Sequence, residues 1–123
     1  MEYKINYETL YNRVKADIIE QHKYWAAKEN KRHSEECVVR ISLYDKLQTL
    51  LAGYEKDTQD FEERYNLIKS SIEREYDKWK NEAANNYSTE NKTRNSEYFR
   101  LEALLIGFEK NARDEAIDIA YMN

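Results

Sequence analysis

A 54-residue internal repeat constrains this chain more than any other feature of its sequence. The stretch LLAGYEKD, residues 50–57, returns 54 positions later as LLIGFEKN, residues 104–111. Without a gap, residues 7–57 align with residues 61–111, and roughly a third of the aligned positions are identical. Such a repeat predicts two copies of one supersecondary unit, neither of which can bury its apolar face alone. Two copies are too few for a solenoid, so we expect one closed, pseudo-symmetric bundle.

Each copy of the repeat indicates a helical hairpin. Apolar side chains recur at three- and four-residue steps in both halves of each copy, which places them on one face of a helix. The absence of Pro and the presence of only two Gly leave few points at which a helix would break. Residues with capping side chains precede the periodic runs. The predicted N-caps are Asn6, Ser34, Asp60 and Ser88. The predicted helices lie near 7–29, 35–56, 60–84 and 89–121.

The predicted fold is all-α, an antiparallel four-helix bundle built from two tandem helical hairpins. We assign one domain to residues 1–123, with the first repeat unit at 7–57 and the second at 61–111, followed by a C-terminal extension of the last helix. The polar segments 27–33 and 81–87 lack apolar periodicity, so we predict that they form the hairpin turns.

Several polar and glycine residues recur in both copies, on or beside the predicted apolar stripes. The polar ones are Asn12 and Asn66, Arg40 and Arg94, and Ser42 and Ser96. They could form two equivalent binding pockets, but we expect a hydrogen-bonded layer that fixes helix register. Gly53 and Gly107 predict a close helix approach or an aromatic ring lying over the glycine, with Trp25 and Trp79 as the candidate rings.

No residue pattern in the chain predicts catalysis, a metal or a cofactor. A di-iron bundle would need Glu-x-x-His on two helices, and neither His22 nor His33 has a Glu three residues before it. Glu29 and His33 could share a helix face but make only half of a metal site. Cys37 near a helix start is interpreted as an inert thiol, because the aligned residue is Asn91. We therefore expect that the protein is not an enzyme.

A basic segment and an acidic segment are candidate binding surfaces. The basic turn, residues 28–33, could contact nucleic-acid phosphates and offers a ring for base stacking. Its candidate residues are Tyr24, Lys28, Lys31 and Arg32. The acidic junction between the copies could imitate a phosphate backbone and occupy a basic groove of an enzyme. Its residues are Glu55, Asp57, Asp60, Glu62 and Glu63, with Asp114, Glu115 and Asp118 following near the C-terminus.

Eleven tyrosines favour a role in protein–protein contact. Four helices of this size cannot bury them all with satisfied hydroxyls, and Tyr is enriched at protein interfaces. The partner could be a foreign protein or a second copy of the chain. The alternatives to a protein-binding regulator are therefore a small nucleic-acid-binding module that uses the basic turn, and a helical homo-oligomeric structural protein.

The sequence predicts a cytoplasmic location. Its longest apolar run is far below the roughly 20 residues that span a bilayer, and the start MEYKINYE has no apolar signal-peptide region. One Cys fits a reducing compartment, and a net charge of -4 fits a soluble, mildly acidic protein. If the chain is phage-encoded, the compartment is the host cytoplasm.

In composition the chain resembles the small accessory proteins carried by phages and prophages of low-GC Gram-positive bacteria. It is short, free of Pro and rich in Lys, Glu, Asn, Tyr and Ile. Anti-CRISPR proteins are a prominent class in that group. This resemblance implies a protein without catalytic activity that binds a Cas nuclease such as Cas9 and blocks DNA access, guide loading or a required movement. The leading hypothesis is thus a protein-binding inhibitor of a nucleic-acid-processing enzyme.

Overall fold

The computed structural model describes residues 2–122 and contains four helices that pack on one another. They are α1 (Tyr7–Lys31), α2 (Glu35–Asp57), α3 (Phe61–Asn85) and α4 (Thr89–Met122). Every predicted helix is present, and each predicted boundary lies within two residues of the observed one. The prediction of an all-α four-helix bundle is confirmed.

The predicted caps explain why the helices begin where they do. Asn6 Oδ1 accepts a hydrogen bond from the Thr9 amide at 3.0 Å. Ser34 Oγ accepts a hydrogen bond from the Cys37 amide at 3.1 Å. Each bond satisfies a backbone donor that the first turn of a helix leaves free. The equivalent bonds at the other two helix starts run from Glu62 and Glu63 to Asp60, and from Asn91 to Ser88.

The hairpin turns are shorter than predicted. Helix α1 continues through Lys31 and α3 through Asn85, so only residues 32–34 and 86–88 connect the helices of each hairpin. The prediction that all of 27–33 and 81–87 would be turns was wrong. Polar residues without Pro or Gly can extend a helix on its solvated side, and the Arg32 amide still donates to the Lys28 carbonyl at 3.0 Å.

The helices run up and down, which places both hairpin turns at one end of the bundle. Helix α1 packs mainly on α2 and α3 mainly on α4. The first turns of α1 and α3 meet, with the rings of Tyr7 and Tyr65 at 6.1 Å between centroids. Residues 32–34 and 86–88 therefore lie at one end, which we call the turn end. The acidic junction lies at the opposite end.

Four tyrosines fill the centre of the core. Tyr11, Tyr44, Tyr65 and Tyr98 are each at most 2% exposed. They pack among aliphatic side chains contributed by all four helices. Those side chains are Leu10, Val14, Ile18, Leu43, Leu47, Leu51, Ile68, Ile72, Leu101 and Leu105. Full burial of one such side chain contributes about 1.5–3 kcal/mol, so the core accounts for the pairing of the hairpins.

The interpretation of the recurring glycines was wrong. A Cβ added to Gly53 or Gly107 would meet nothing within 4 Å, so neither glycine marks a close helix crossing or lies under a ring. The tryptophans instead lie under arginines. The Arg40 guanidinium is 4.3 Å from the Trp25 ring centroid, and the Arg94 guanidinium is 5.0 Å from the Trp79 ring centroid.

The expected hydrogen-bonded layer is also absent from the described part of the chain. Of the recurring polar residues, Asn12, Ser42, Asn66 and Ser96 are exposed. Only Arg40 and Arg94 are largely buried, with side chains 16% and 15% exposed. Their role is to cover the tryptophan faces by a cation–π contact.

Within residues 2–122, no helix combines the length and the apolar character that crossing a membrane requires.

Candidate functional site

A groove runs between the two helices of each hairpin, and its polar floor is the same in both. In the α1–α2 groove, Glu55 accepts hydrogen bonds from Tyr11 Oη at 2.7 Å and from Lys15 Nζ at 2.8 Å. Partial burial works against the charged carboxylate, but the bonds from Lys15 and Tyr11 outweigh it and lower the pKa of Glu55. The aligned α3–α4 groove repeats this arrangement, and Glu109 accepts from Tyr65 at 2.7 Å and from Lys69 at 3.1 Å.

The two grooves differ at the end that lies nearer the hairpin turns. There the first hairpin has an ion pair, with His22 Nε2 at 2.7 Å from Asp45 Oδ1. At the aligned positions of the second hairpin, Tyr76 and Phe99 pack ring against ring with centroids 6.0 Å apart. Phe99 is 61% exposed. A polar His–Asp contact in one hairpin is therefore replaced by a partly exposed aromatic pair in the other.

The walls of the grooves differ as well. Where the α1–α2 groove has Ile19, Gln48 and Ala52, the α3–α4 groove has Glu73, Glu102 and Ile106. Ile106 is 69% exposed. The α3–α4 groove is also the larger, with a volume of about 310 Å³ against about 170 Å³. The α3–α4 groove thus has a large exposed apolar side chain beside carboxylates. The α1–α2 groove has no such combination among its lining residues.

Some carboxylates in and beside the α3–α4 groove lack compensating cations at contact distance. Among residues 2–122, none lies within ion-pair distance of Glu73, Asp77 or Glu102. The pKa of Glu102 is raised, first by burial and then by the negative charges of Glu73 and Asp77, while Lys80 acts in the opposite direction. This end of the groove therefore carries negative charge that a cation brought by a ligand would stabilise.

A second polar constellation lies inside the bundle and has a structural role. Tyr44 Oη donates to Glu97 Oε1 at 2.6 Å, and Arg100 Nη2 donates to both Tyr44 Oη and Asp17 Oδ2 at 2.8 Å. Arg40 forms an ion pair with the same carboxylate, with its Nε 3.4 Å from Glu97 Oε2. The network joins α1, α2 and α4, so we assign it to the pairing of the hairpins.

The acidic junction is largely engaged in shaping the helix ends. Glu55 belongs to the floor of the α1–α2 groove, and Asp60 caps α3. Glu63 accepts a hydrogen bond from Thr58 Oγ1 at 3.0 Å. Asp57 lies exposed at the last residue of α2.

Arg64 reduces the negative charge of the junction further. Its guanidinium donates to the backbone carbonyls of Thr58 and Glu55 at 2.7 and 3.3 Å. The predicted contact residues of the junction are thus present at one end of the bundle, with Glu55, Asp60 and Glu63 already bonded within the chain.

The predicted basic turn lies at the turn end of the bundle, partly in the last turn of α1 and partly in the connection that follows. Lys28 and Lys31 lie in the last turn of α1, and Arg32 follows as its C-cap. Tyr24 is 55% exposed and packs edge-on against Trp25, and Lys28 Nζ lies 5.0 Å from the Trp25 ring centroid. The structure therefore keeps the basic turn and the acidic junction apart, at opposite ends of the bundle.

The described residues do not assemble a recognisable reactive centre. No three His, Cys, Asp or Glu side chains in residues 2–122 come together as a metal site would require. His33 Nδ1 contacts the Glu29 carboxylate, which also accepts from the Ser34 amide and so helps to close the hairpin turn. The Cys37 thiol is only 4% exposed.

Sequence reasoning missed the residues of the α3–α4 groove. Glu73, Phe99, Glu102 and Ile106 were not among the predicted site residues. The signal that could have found them is the difference between the two aligned segments, because these positions change in charge or in side-chain size while the floor residues around them stay identical.

Comparison of the chain with protein-family profiles, with curated proteins and with solved structures returned no match.

Proposed function

We propose that this chain is a non-enzymatic protein-binding regulator whose contact surface is the α3–α4 groove. The observation that carries the proposal is the difference between two grooves with one floor. The first hairpin has Asp45 and Ala52 at the aligned positions, so the hairpin does not need Phe99 or Ile106 to fold. Large exposed apolar side chains rimmed by polar groups are typical of protein interaction sites.

The partner class that we propose is a nucleic-acid-processing enzyme of the host, such as Cas9, with the protein acting as a phage-encoded inhibitor in the host cytoplasm. Two features support it. The groove includes two carboxylates without an ion-pair partner among residues 2–122, Glu73 and Glu102, which complement the basic surfaces that such enzymes use to hold nucleic acid. The composition of the chain resembles that of phage accessory proteins, of which anti-CRISPR proteins are a class. The inhibitor would act by occupying the enzyme's nucleic-acid path.

The first test is affinity capture from a host lysate with matched variants. Phe99→Asp combined with Ile106→Ala gives the α3–α4 groove the residues of the first hairpin. Val38→Lys is the control, since Val38 is 46% exposed on the other hairpin and the aligned residue is Lys92. We expect the groove variant to lose the partner that wild type and Val38→Lys retain.

The second test is DNA cleavage by Cas9 with increasing amounts of the protein. Inhibition that the groove variant lacks would support the anti-CRISPR proposal. Unchanged cleavage would remove Cas9 as the target, and the absence of any groove-dependent partner in the lysate would remove the proposed function as a whole.

A second candidate function is nucleic-acid binding by the turn end. The observation that favours it is the exposed ring of Tyr24 beside Lys28, Lys31 and Arg32. A mobility-shift assay over a range of salt concentrations separates the two functions, because phosphate contacts weaken steeply with salt. Sedimentation of the free protein tests the remaining alternative of a homo-oligomer.

A further inference from the structure

We infer that the α3–α4 groove takes a basic amphipathic helix of the partner, with Lys or Arg side chains flanking its apolar face. This inference rests on the proposed function and names the chemistry of the partner segment. It goes beyond that proposal because it fixes the secondary structure, the length and the charge of what the groove binds.

The shape of the groove favours a helix as its occupant. Its α4 wall consists of residues at alternating three- and four-residue steps, which form one straight face. The lining residues on this face are Glu102, Ile106, Glu109 and Arg113, and Phe99, which packs against Tyr76 of α3, continues the same face beyond the groove. From Phe99 to Arg113 the wall spans 14 helical steps, or about 21 Å. Two helices offer no free sheet edge to which a strand could add, so an amphipathic helix of about 14 residues is the segment that fits.

The charges along the groove decide the polarity of that helix. Toward Phe99 the groove is lined by Glu73 and Glu102, and Asp77 lies close enough to act on Glu102. None of these three carboxylates has an ion-pair partner among residues 2–122. Farther along, the Glu109 carboxylate is already paired with Lys69 at 3.1 Å. The occupant therefore has its basic residues at the Phe99 end, where a cation would also oppose the charges that raise the pKa of Glu102.

The apolar side chains set the other requirement. Phe99 and Ile106 are seven residues apart, so their side chains stand about 10 Å apart on one helix face. Two apolar residues of the occupant with the same spacing would cover both. The carboxylates on either side would then contact the flanking basic residues.

A second copy of this chain does not supply such a helix. The basic residues of its turn end are concentrated at Lys28, Lys31 and Arg32, where α1 is already ending. One helical turn is too short to fill a groove of about 21 Å. The occupant that we propose is therefore a foreign segment.

The test uses the full chain and a synthetic peptide as the probe. The peptide is about 14 residues long, blocked at both ends, and places Leu on one helix face and Lys on the other. A scrambled peptide of identical composition has no apolar face. Binding is measured by fluorescence anisotropy at physiological salt. We expect the amphipathic peptide to bind about tenfold more tightly than the scrambled one, a difference of about 1.4 kcal/mol.

Two protein variants separate groove binding from general attraction to an acidic protein. Glu73→Gln with Glu102→Gln is expected to weaken peptide binding about tenfold. Its control, Glu20→Gln with Asp118→Asn, removes the same charge at exposed positions outside the groove and is expected to change binding less than about twofold. Equal effects of the two pairs would overturn the inference.

Phe99→Asp gives the sharpest result because the two explanations predict opposite signs. It adds a negative charge, so charge attraction alone would make a cationic peptide bind more tightly. Docking of an apolar helix face on Phe99 requires weaker binding instead. Tighter binding to Phe99→Asp would overturn the inference.

Failure of the inference can be told from failure of the proposed function. If capture of a host partner depends on Phe99 and Ile106 but the amphipathic peptide shows no preference over the scrambled one, the helix inference falls and the function stands. If neither depends on the groove, both fall. A dimer in sedimentation that Phe99→Asp dissociates would show that a second copy covers the groove, which also overturns the inference.

Discussion

The rings of Tyr76 and Phe99 lie with centroids 6.0 Å apart at the positions where the aligned hairpin pairs His22 with Asp45. Helices α1 and α3 both have 25 residues, and the hydroxyls of Ser34 and Ser88 cap the starts of α2 and α4 in the same way. One hairpin framework therefore accepts either a His–Asp contact or an aromatic pair on its surface. Of the two rings, Tyr76 also packs against the core, so Phe99 is the position at which a substitution changes the surface with least effect on the core.

The glycines give a prediction about stability. Replacing Gly53 or Gly107 by Ala should raise the free energy of unfolding by about 0.5–1 kcal/mol each, because Ala favours the helix and its Cβ meets nothing within 4 Å. Urea unfolding measures the change. A loss of stability in either variant would mean that its glycine is needed for close packing after all.

Two buried tyrosines should respond in opposite ways to loss of their hydroxyl. Tyr44→Phe removes the donor to Glu97 and the acceptor of Arg100, so we expect a loss of about 1–3 kcal/mol. Tyr98→Phe removes a buried hydroxyl that has no hydrogen-bond partner among residues 2–122, and should be neutral or stabilising by up to about 1 kcal/mol. Denaturant titrations measure the free energy of unfolding of both variants, which can be compared if its dependence on denaturant concentration is the same in both. Equal losses of stability in the two variants would refute the prediction.

Glu55→Gln should destabilise the protein in a pH-dependent way. The folded state lowers the pKa of Glu55 below its ordinary value of 4.5, so the charged form stabilises the fold above that value and the gain is lost as pH falls through the folded pKa. We expect a cost of about 1–2 kcal/mol at pH 7, shrinking towards pH 3. Thermal unfolding across this range is the measurement, with Glu20→Gln as the control. A cost that stays constant down to pH 3 would contradict the prediction.

Glu102→Gln should have the opposite sign. Burial, Glu73 and Asp77 raise the pKa of Glu102, while Lys80 opposes them, so the charged form destabilises the fold. The variant is expected to gain up to about 0.5 kcal/mol at pH 7. The gain should vanish once the pH falls below the ordinary value of 4.5, where Glu102 is neutral in both states. Thermal unfolding of the variant and of wild type at pH 7 and pH 3.5 is the measurement. A variant that is less stable than wild type at pH 7 would refute the prediction.

The helices could be predicted because every local signal agreed. Periodic apolar residues, capping side chains such as Asn6 and Ser34, and the lack of Pro all point to the same segments. The predicted hairpin turns are too long because a polar segment without apolar periodicity does not by itself end a helix. Residues 27–31 remain helical because solvent satisfies their side chains as well on a helix as in a loop.

The candidate groove could not be predicted in the same way. Glu73 and Glu102 come together only when α3 packs against α4, and nothing in their local sequence indicates this. The error on Gly53 and Gly107 has a similar origin, since a helical glycine looks the same in sequence whether it faces a neighbour or water. Arg40 above Trp25 was missed because a cation–π contact between helices has no sequence spacing of its own.

The basic turn and the acidic junction lie at opposite ends of the bundle axis. Helix α2, which connects the two ends, has 23 residues and holds them about 35 Å apart. That distance is several times the screening length of about 8 Å at physiological salt, so an approaching surface senses only the end nearest to it. The charges of the basic turn and of the acidic junction therefore act separately, and a substitution at one end does not change how strongly the other end attracts a charged surface.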